Sequence, residues 1–275
     1  MGTSYIASFL NKFPGVLGLH EGHLGVDEGA DVLPMINVQQ LAAYRSAENA
    51  KEVVENLRSM SVIEEAGTQF GGSTIIDVAY YNVMLASSLM KSHPEMRMVA
   101  IVRDCESFVR SATWLSGTDP MPVGWPSPEK PLDARERFIA MGRIRPLDGP
   151  AAEQWPAWSG IARNIWLWEE TNKRLLTSVE QWRSRTILLN FSEFTANTDS
   201  VMKKIALWLL PEITQEMLSM GLWPSASDGA AVRQNSRVGG YQIGPMENWS
   251  NEEKKLCSNA IATISQKVEA AGGYD

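Results

Sequence analysis

The sequence predicts an α/β fold built on a parallel sheet, and three observations predict it. Short apolar runs alternate with amphipathic stretches over most of the 275 residues, the order that strand–helix–strand units produce. Two of the runs, 98–102 and 186–191, are apolar and flanked by charge, the pattern of strands covered on both faces. Pro94 stands between an amphipathic stretch and the run at 98, where a helix has to stop. Such sheets bind ligands beyond the carboxyl ends of their strands.

Each element follows from its own pattern. Residues 4–12 read as a helix, with Tyr5, Ile6, Phe9 and Leu10 recurring at helical spacing. A strand is expected at 15–19, a long helix at 37–60, a strand at 74–78 and a helix at 80–91. The strand at 98–102 leads into a helix at 106–114. Further on come a helix at 162–182, the strand at 186–191, and helices at 199–210 and 251–271. The stretch 118–158 breaks this rhythm, with many of the prolines, several arginines and Trp125, Trp155 and Trp158. It reads as a long insertion or lid over one end of the sheet of a single domain spanning 1–275. No internal repeat or low-complexity tract is present.

Composition narrows the function classes. At 44% hydrophobic and 21% charged residues the chain is ordinary globular material. A chain of this length buries roughly three quarters of its unfolded surface, so a core forms without disulfides or metal. Cys105 and Cys257 lie far apart with no CxxC or Cys/His spacing, which argues against a zinc site and against a disulfide scaffold. It fits a reducing compartment. His20 and His23 have no third ligand type nearby, and His93 is remote, so no metal is expected. A net charge of −7 argues against nucleic acid as a partner. Any polyanionic ligand then needs a local basic pocket working against the global field. No apolar run reaches the length of a membrane span, and the first residues lack the pattern of a signal peptide. The expected location is cytoplasmic.

Two short stretches carry chemistry. Gly2, Thr3 and Ser4 open the first helix, where unpaired N–H groups and the positive end of the helix dipole make an anion site. Alone, the triplet is an ordinary N-cap. In VAIVRDCESFVRSATWL, Arg103 ends a strand and Ser111 follows eight residues later, about two turns into the next helix. A strand-end arginine can fork onto a phosphate, and a helix serine can add a donor to the same group. Alone, that arginine reads first as an ion-pair partner of Asp104 or Glu106.

In combination, these pieces resemble the sulfotransferases that use 3′-phosphoadenosine-5′-phosphosulfate (PAPS). The resemblance extends to TILLNFSEFTANTDSVMKKIALWL, to NSRVGGYQIG followed by WSNEEKK, and to the terminal GGYD. It covers nearly the whole chain and is weakest across 118–158. It implies a P-loop-like three-layer fold with a central parallel sheet, and PAPS as cosubstrate with no metal. Gly2, Thr3 and Ser4 would hold the 5′-phosphosulfate, and Arg103 and Ser111 the 3′-phosphate. Arg237 is the candidate for closing the 3′-phosphate site, ahead of Tyr241. The family places a strand and a basic residue ahead of Gly-Thr. The present sequence starts at Met1-Gly2, so that first strand and that cation are missing from it. A lysine that many relatives carry near the third strand is also absent from GGSTIID.

Sulfuryl transfer needs a base for the acceptor hydroxyl and stabilisation of the leaving phosphate. The strand at 15–19 runs into His20 and Glu21. The resemblance is to tyrosylprotein sulfotransferases, which have a glutamate here. Glu21 is therefore the first candidate base, His20 the second and His23 a third. Adjacent strand residues point to opposite faces, so only one of His20 and Glu21 is expected to face the site. The acceptor is a carbohydrate or small-molecule hydroxyl, with protein tyrosine left open, as is the oligomeric state. Trp166 and Trp168 cannot share one helix face, so at least one belongs to the core. In the same helix Asn172 and Arg174 are side chains able to face a cleft. Two alternatives stand beside this reading. One is a P-loop nucleotide or small-molecule kinase, which requires magnesium; the other is a non-catalytic nucleotide-binding remnant.

Overall fold

A computed structural model describes residues 3–24, 31–112, 142–224 and 243–275. The first helix, α1 (Thr3–Leu10), leads to strand β1 (Val16–His20) and the short strand β2 (His23–Leu24). Helices α2 (Gln40–Arg45), α3 (Ala47–Leu57) and α4 (Met60–Phe70) precede β3 (Thr74–Val78). Helix α5 (Ala86–Ser92), strand β4 (Met98–Val102) and helix α6 (Cys105–Ala112) follow. Beyond residue 142 come α7 (Gly149–Gln154), α8 (Gly160–Gln181), β5 (Thr186–Asn190), α9 (Phe191–Ala196), α10 (Thr198–Leu209), α11 (Pro211–Ser219) and α12 (Asn251–Ala270). None of the helices among the described residues is long and apolar enough to cross a membrane.

The mixed α/β character is as expected, but the described strands form two small sheets. β1 pairs in parallel with β3, from Val16 opposite Thr74 to His20 opposite Val78, and antiparallel with β2. β4 pairs in parallel with β5, from Met98 opposite Thr186 to Val102 opposite Asn190. No ladder joins β3 to β4.

Side-chain alternation divides the cores. On β4 and β5, Ala100, Val102 and Leu188 face a core built from α6, α8 and α12. Val99, Ile101, Ile187 and Leu189 face the opposite way, onto α1, α9 and α10. That second core also takes Val16 of β1 and Ile76 and Val78 of β3. One apolar layer therefore runs beneath both sheets. The other face of the first sheet packs Leu17, Leu19 and Ile75 against Ala66 of α4. Helix α1 lies directly on β1: a Cβ at Gly18 would come 2.2 Å from the Ala7 carbonyl oxygen. The Asn11 side chain seals this contact, accepting from Gly18 N–H at 2.7 Å and donating to its carbonyl at 2.6 Å.

Several expected elements shift. The helix expected at 37–60 is broken, because Ser46 is extended (φ −156°, ψ 158°) and its hydroxyl accepts from Asn49 N–H, starting α3 afresh. The helix expected at 80–91 begins as a 3₁₀ segment, Tyr80–Met84, before α5. The expected lid falls partly outside the described residues, and its remainder forms α7 and the 3₁₀ turn Trp155–Ala157. The tryptophans diverge as the helix period requires. Trp168 is buried, and Trp166 packs at the periphery against Trp155 and Tyr44.

Candidate functional site

A cleft of about 1820 Å³ opens between the two sheets. Residues 74–79 and 96–101 form its walls, and the amino end of α1 and the carboxyl ends of β1 and β4 also line it. The sequence-predicted residues that the structure describes meet there. Thr3, Ser4, His20, Glu21, His23, Arg103 and Ser111 all line this one cleft. Gly2, Arg237 and Tyr241 lie outside the described residues.

His20 and Glu21 both face the cleft, contrary to the expectation that only one would. The alternation rule applies within a strand, and β1 ends at His20. Glu21 lies past that end with φ 57°, a left-handed conformation rare outside glycine, in the tight turn joining β1 to β2. Asp77 holds this turn from β3: its carboxylate accepts from Gly22 N–H at 3.1 Å and pairs with Arg58 at 3.1 Å. The Glu21 backbone N–H donates to the Val78 carbonyl at 3.3 Å.

The three candidate bases stand in different surroundings. His20 Nε2 lies 3.0 Å from the Thr3 hydroxyl. Burial lowers the His20 pKa, opposed by the negative charge of Glu21. His23 Nδ1 sits 2.6 Å from the Asp31 carboxylate, which engages it. The Glu21 side chain makes no hydrogen bond to the described residues, and the residue lines the cleft.

At the end of β4, the Arg103 carbonyl accepts from Trp168 Nε1 at 2.8 Å, which fixes the strand end from α8. The Arg103 Nε donates to the Ser107 hydroxyl at 2.7 Å, and its guanidinium stacks over Phe191 at 5.2 Å. Asp104 instead caps α6, accepting from Ser107 N–H at 2.7 Å. Glu106 pairs with Arg110 and accepts from Met246 N–H. Ser111 is buried on the cleft side of α6. Sequence reasoning missed Ser107, although its spacing of four from Arg103 places the two one helical turn apart.

Of the two α8 residues, Asn172 lines the cleft, its amide donating to the Trp168 carbonyl at 2.7 Å. Arg174 is turned away, paired with Glu170 and stacked on Tyr44 at 4.2 Å. The structure adds one residue that no sequence pattern singles out. Arg143 lines the cleft while only 6% exposed, and its Nε has no hydrogen-bond partner among the described residues. Among the described residues no cluster of three His, Cys, Asp or Glu side chains is suited to hold a metal.

No family model matches this chain, and no curated protein or solved structure matches it.

Proposed function

We propose that this protein is a PAPS-dependent sulfotransferase acting on the hydroxyl of a carbohydrate or small-molecule acceptor. One observation carries the reading. Thr3, Ser4, His20, Glu21, Arg103 and Ser111, scattered over a hundred residues of sequence, line a single cleft reached by the carboxyl ends of parallel strands. In this reading the amino end of α1 and the Thr3 and Ser4 hydroxyls receive the 5′-phosphosulfate. Arg103 and Ser111 receive the 3′-phosphate, with Arg237 and Tyr241 as further cofactor contacts. Ser107, held between Arg103 and Asp104, orients the guanidinium.

Glu21 takes the proton of the acceptor hydroxyl as the new O–S bond forms. The S–O bond to the 5′-phosphate breaks on the opposite side, and adenosine 3′,5′-bisphosphate leaves with that electron pair. His20, neutral and bonded to Thr3, lies beside the departing phosphate.

The same reading accounts for the division of the sheet. One further strand between β3 and β4, parallel to both, would join the two ladders over their shared apolar layer into a three-layer P-loop-like fold. Given PAPS and a panel of phenols and sugars in EDTA, the chain is expected to release adenosine 3′,5′-bisphosphate, and Glu21→Gln to release it at least tenfold more slowly. Equal rates for the two folded chains contradict the reading, and turnover that requires magnesium and ATP favours a kinase.

The unjoined edges of β3 and β4 also favour a second reading, a nucleotide-binding remnant that holds the bisphosphate without turnover.

A further inference from the structure

We propose that Arg143 is the recognition cation for an oxyanion carried by the acceptor, so that the site selects acceptors bearing a carboxylate or sulfate on the same ring as the reacting hydroxyl. The assignment of that ligand as the acceptor rests on the sulfotransferase reading; the anion site itself does not.

Arg143 is built into the cleft wall. A Cβ at Gly142 would lie 2.0 Å from the Asn37 carbonyl oxygen, so the chain is pressed against that backbone just before the arginine. Ile144, the next residue, is buried in the core. The guanidinium is thereby held over the Tyr80 ring at 5.2 Å. Tyr80 is fixed in turn by a 3.0 Å hydrogen bond between its hydroxyl and Thr171, and it stacks on Phe108.

A buried guanidinium ordinarily sits on a carboxylate, because an uncompensated buried charge is costly. Arg143 has no such ion pair among the described residues. The groups acting on it are the Tyr80 hydroxyl and, electrostatically, Glu21. Burial lowers its pKa, although a guanidinium is so weakly acidic that it keeps its charge in proteins. Its Nε is a fixed donor, more than nine-tenths buried and unsatisfied, in the wall of an aromatic-lined cleft. A carboxylate or sulfate docked on the cleft side of the guanidinium would compensate that buried charge.

The test uses two phenols of matching shape, 4-hydroxybenzoate and its neutral amide, 4-hydroxybenzamide. Calorimetric titration of the full chain is expected to give at least tenfold tighter binding of the benzoate. In ¹⁵N–¹H spectra the Arg143 Nε–H signal, assigned by its absence from Arg143→Lys, is expected to move saturably with the benzoate only. Both results are expected to persist in Arg103→Ala, which separates this site from the proposed 3′-phosphate site. Equal affinity for the two phenols overturns the proposal, whether or not the lysine variant folds. So does a benzoate preference that disappears in Arg103→Ala. Adenosine 3′,5′-bisphosphate binding is measured separately. If it is present and the benzoate preference absent, only the Arg143 assignment falls. If it is absent and the preference present, the sulfotransferase reading falls and the anion site stands.

Discussion

His20 Nε2 lies 3.0 Å from the hydroxyl of Thr3, joining the carboxyl end of β1 to the amino end of α1. The contact ties together the two parts of the chain that the proposal asks to act on one group. Because burial disfavours the imidazolium, His20 is neutral near pH 7. Its NMR titration midpoint is expected below the ordinary value of about 6.5. Glu21→Gln removes a charge that favours protonation, so the midpoint should fall further. The sign for stability follows. A depressed histidine pKa leaves stability intact above the unfolded-state value and erodes it as pH falls below roughly 6.5. A midpoint above that value would mean that burial is not the dominant influence on this ring.

The turn carrying Glu21 depends on a buried pair behind it. Arg58 and Asp77 are 4% and 12% exposed at their side chains, and Arg58 also donates to the Pro34 carbonyl at 2.8 Å. Asp77→Asn leaves the guanidinium uncompensated, which should cost about 3–5 kcal/mol in urea unfolding. The same change weakens the acceptor for Gly22 N–H, so turnover should fall in the folded fraction as well. A loss under about 1 kcal/mol would mean that water reaches Arg58 more freely than its burial implies.

Gly18→Ala sets a methyl against the backbone of α1, which cannot rotate away as a side chain would. The helix has to lift, and the expected cost is about 3 kcal/mol or more. Because α1 carries Thr3, cofactor affinity should fall with stability. Asn11→Ala removes the two hydrogen bonds to Gly18 without a clash and should cost about 2 kcal/mol. If the two variants unfold at the same urea concentration, the close approach is not what holds α1 in place.

The sequence revealed elements where local pattern decides structure and failed where contacts do. The strands Thr74–Val78 and Met98–Val102 are found as expected, because apolar runs between turn signals leave little choice. The long helix expected at 37–60 contains Ser46, whose capping role is visible only once the backbone has turned. Cys105 and Cys257, 152 residues apart, carry no spacing signal, yet their Sγ atoms lie 3.3 Å apart in the core between α6 and α12. The position of Glu21 was legible but not its orientation, since a positive φ at a non-glycine residue contradicts local preference. Arg143 was not legible at all. One arginine in MGRIRPLDG has no periodicity, and its significance is its burial beside Tyr80.

The central claim is that Arg103 ends its strand to hold a nucleotide phosphate. The measurement that tests it most directly is calorimetric titration of the full chain with adenosine 3′,5′-bisphosphate, beside 5′-AMP and the Arg103→Ala variant. The account predicts saturable binding of the bisphosphate, at least tenfold weaker binding of 5′-AMP, and a loss of that difference in Arg103→Ala. Equal affinity for the two nucleotides in the folded wild-type chain, or a preference for the bisphosphate that survives in Arg103→Ala, would contradict it.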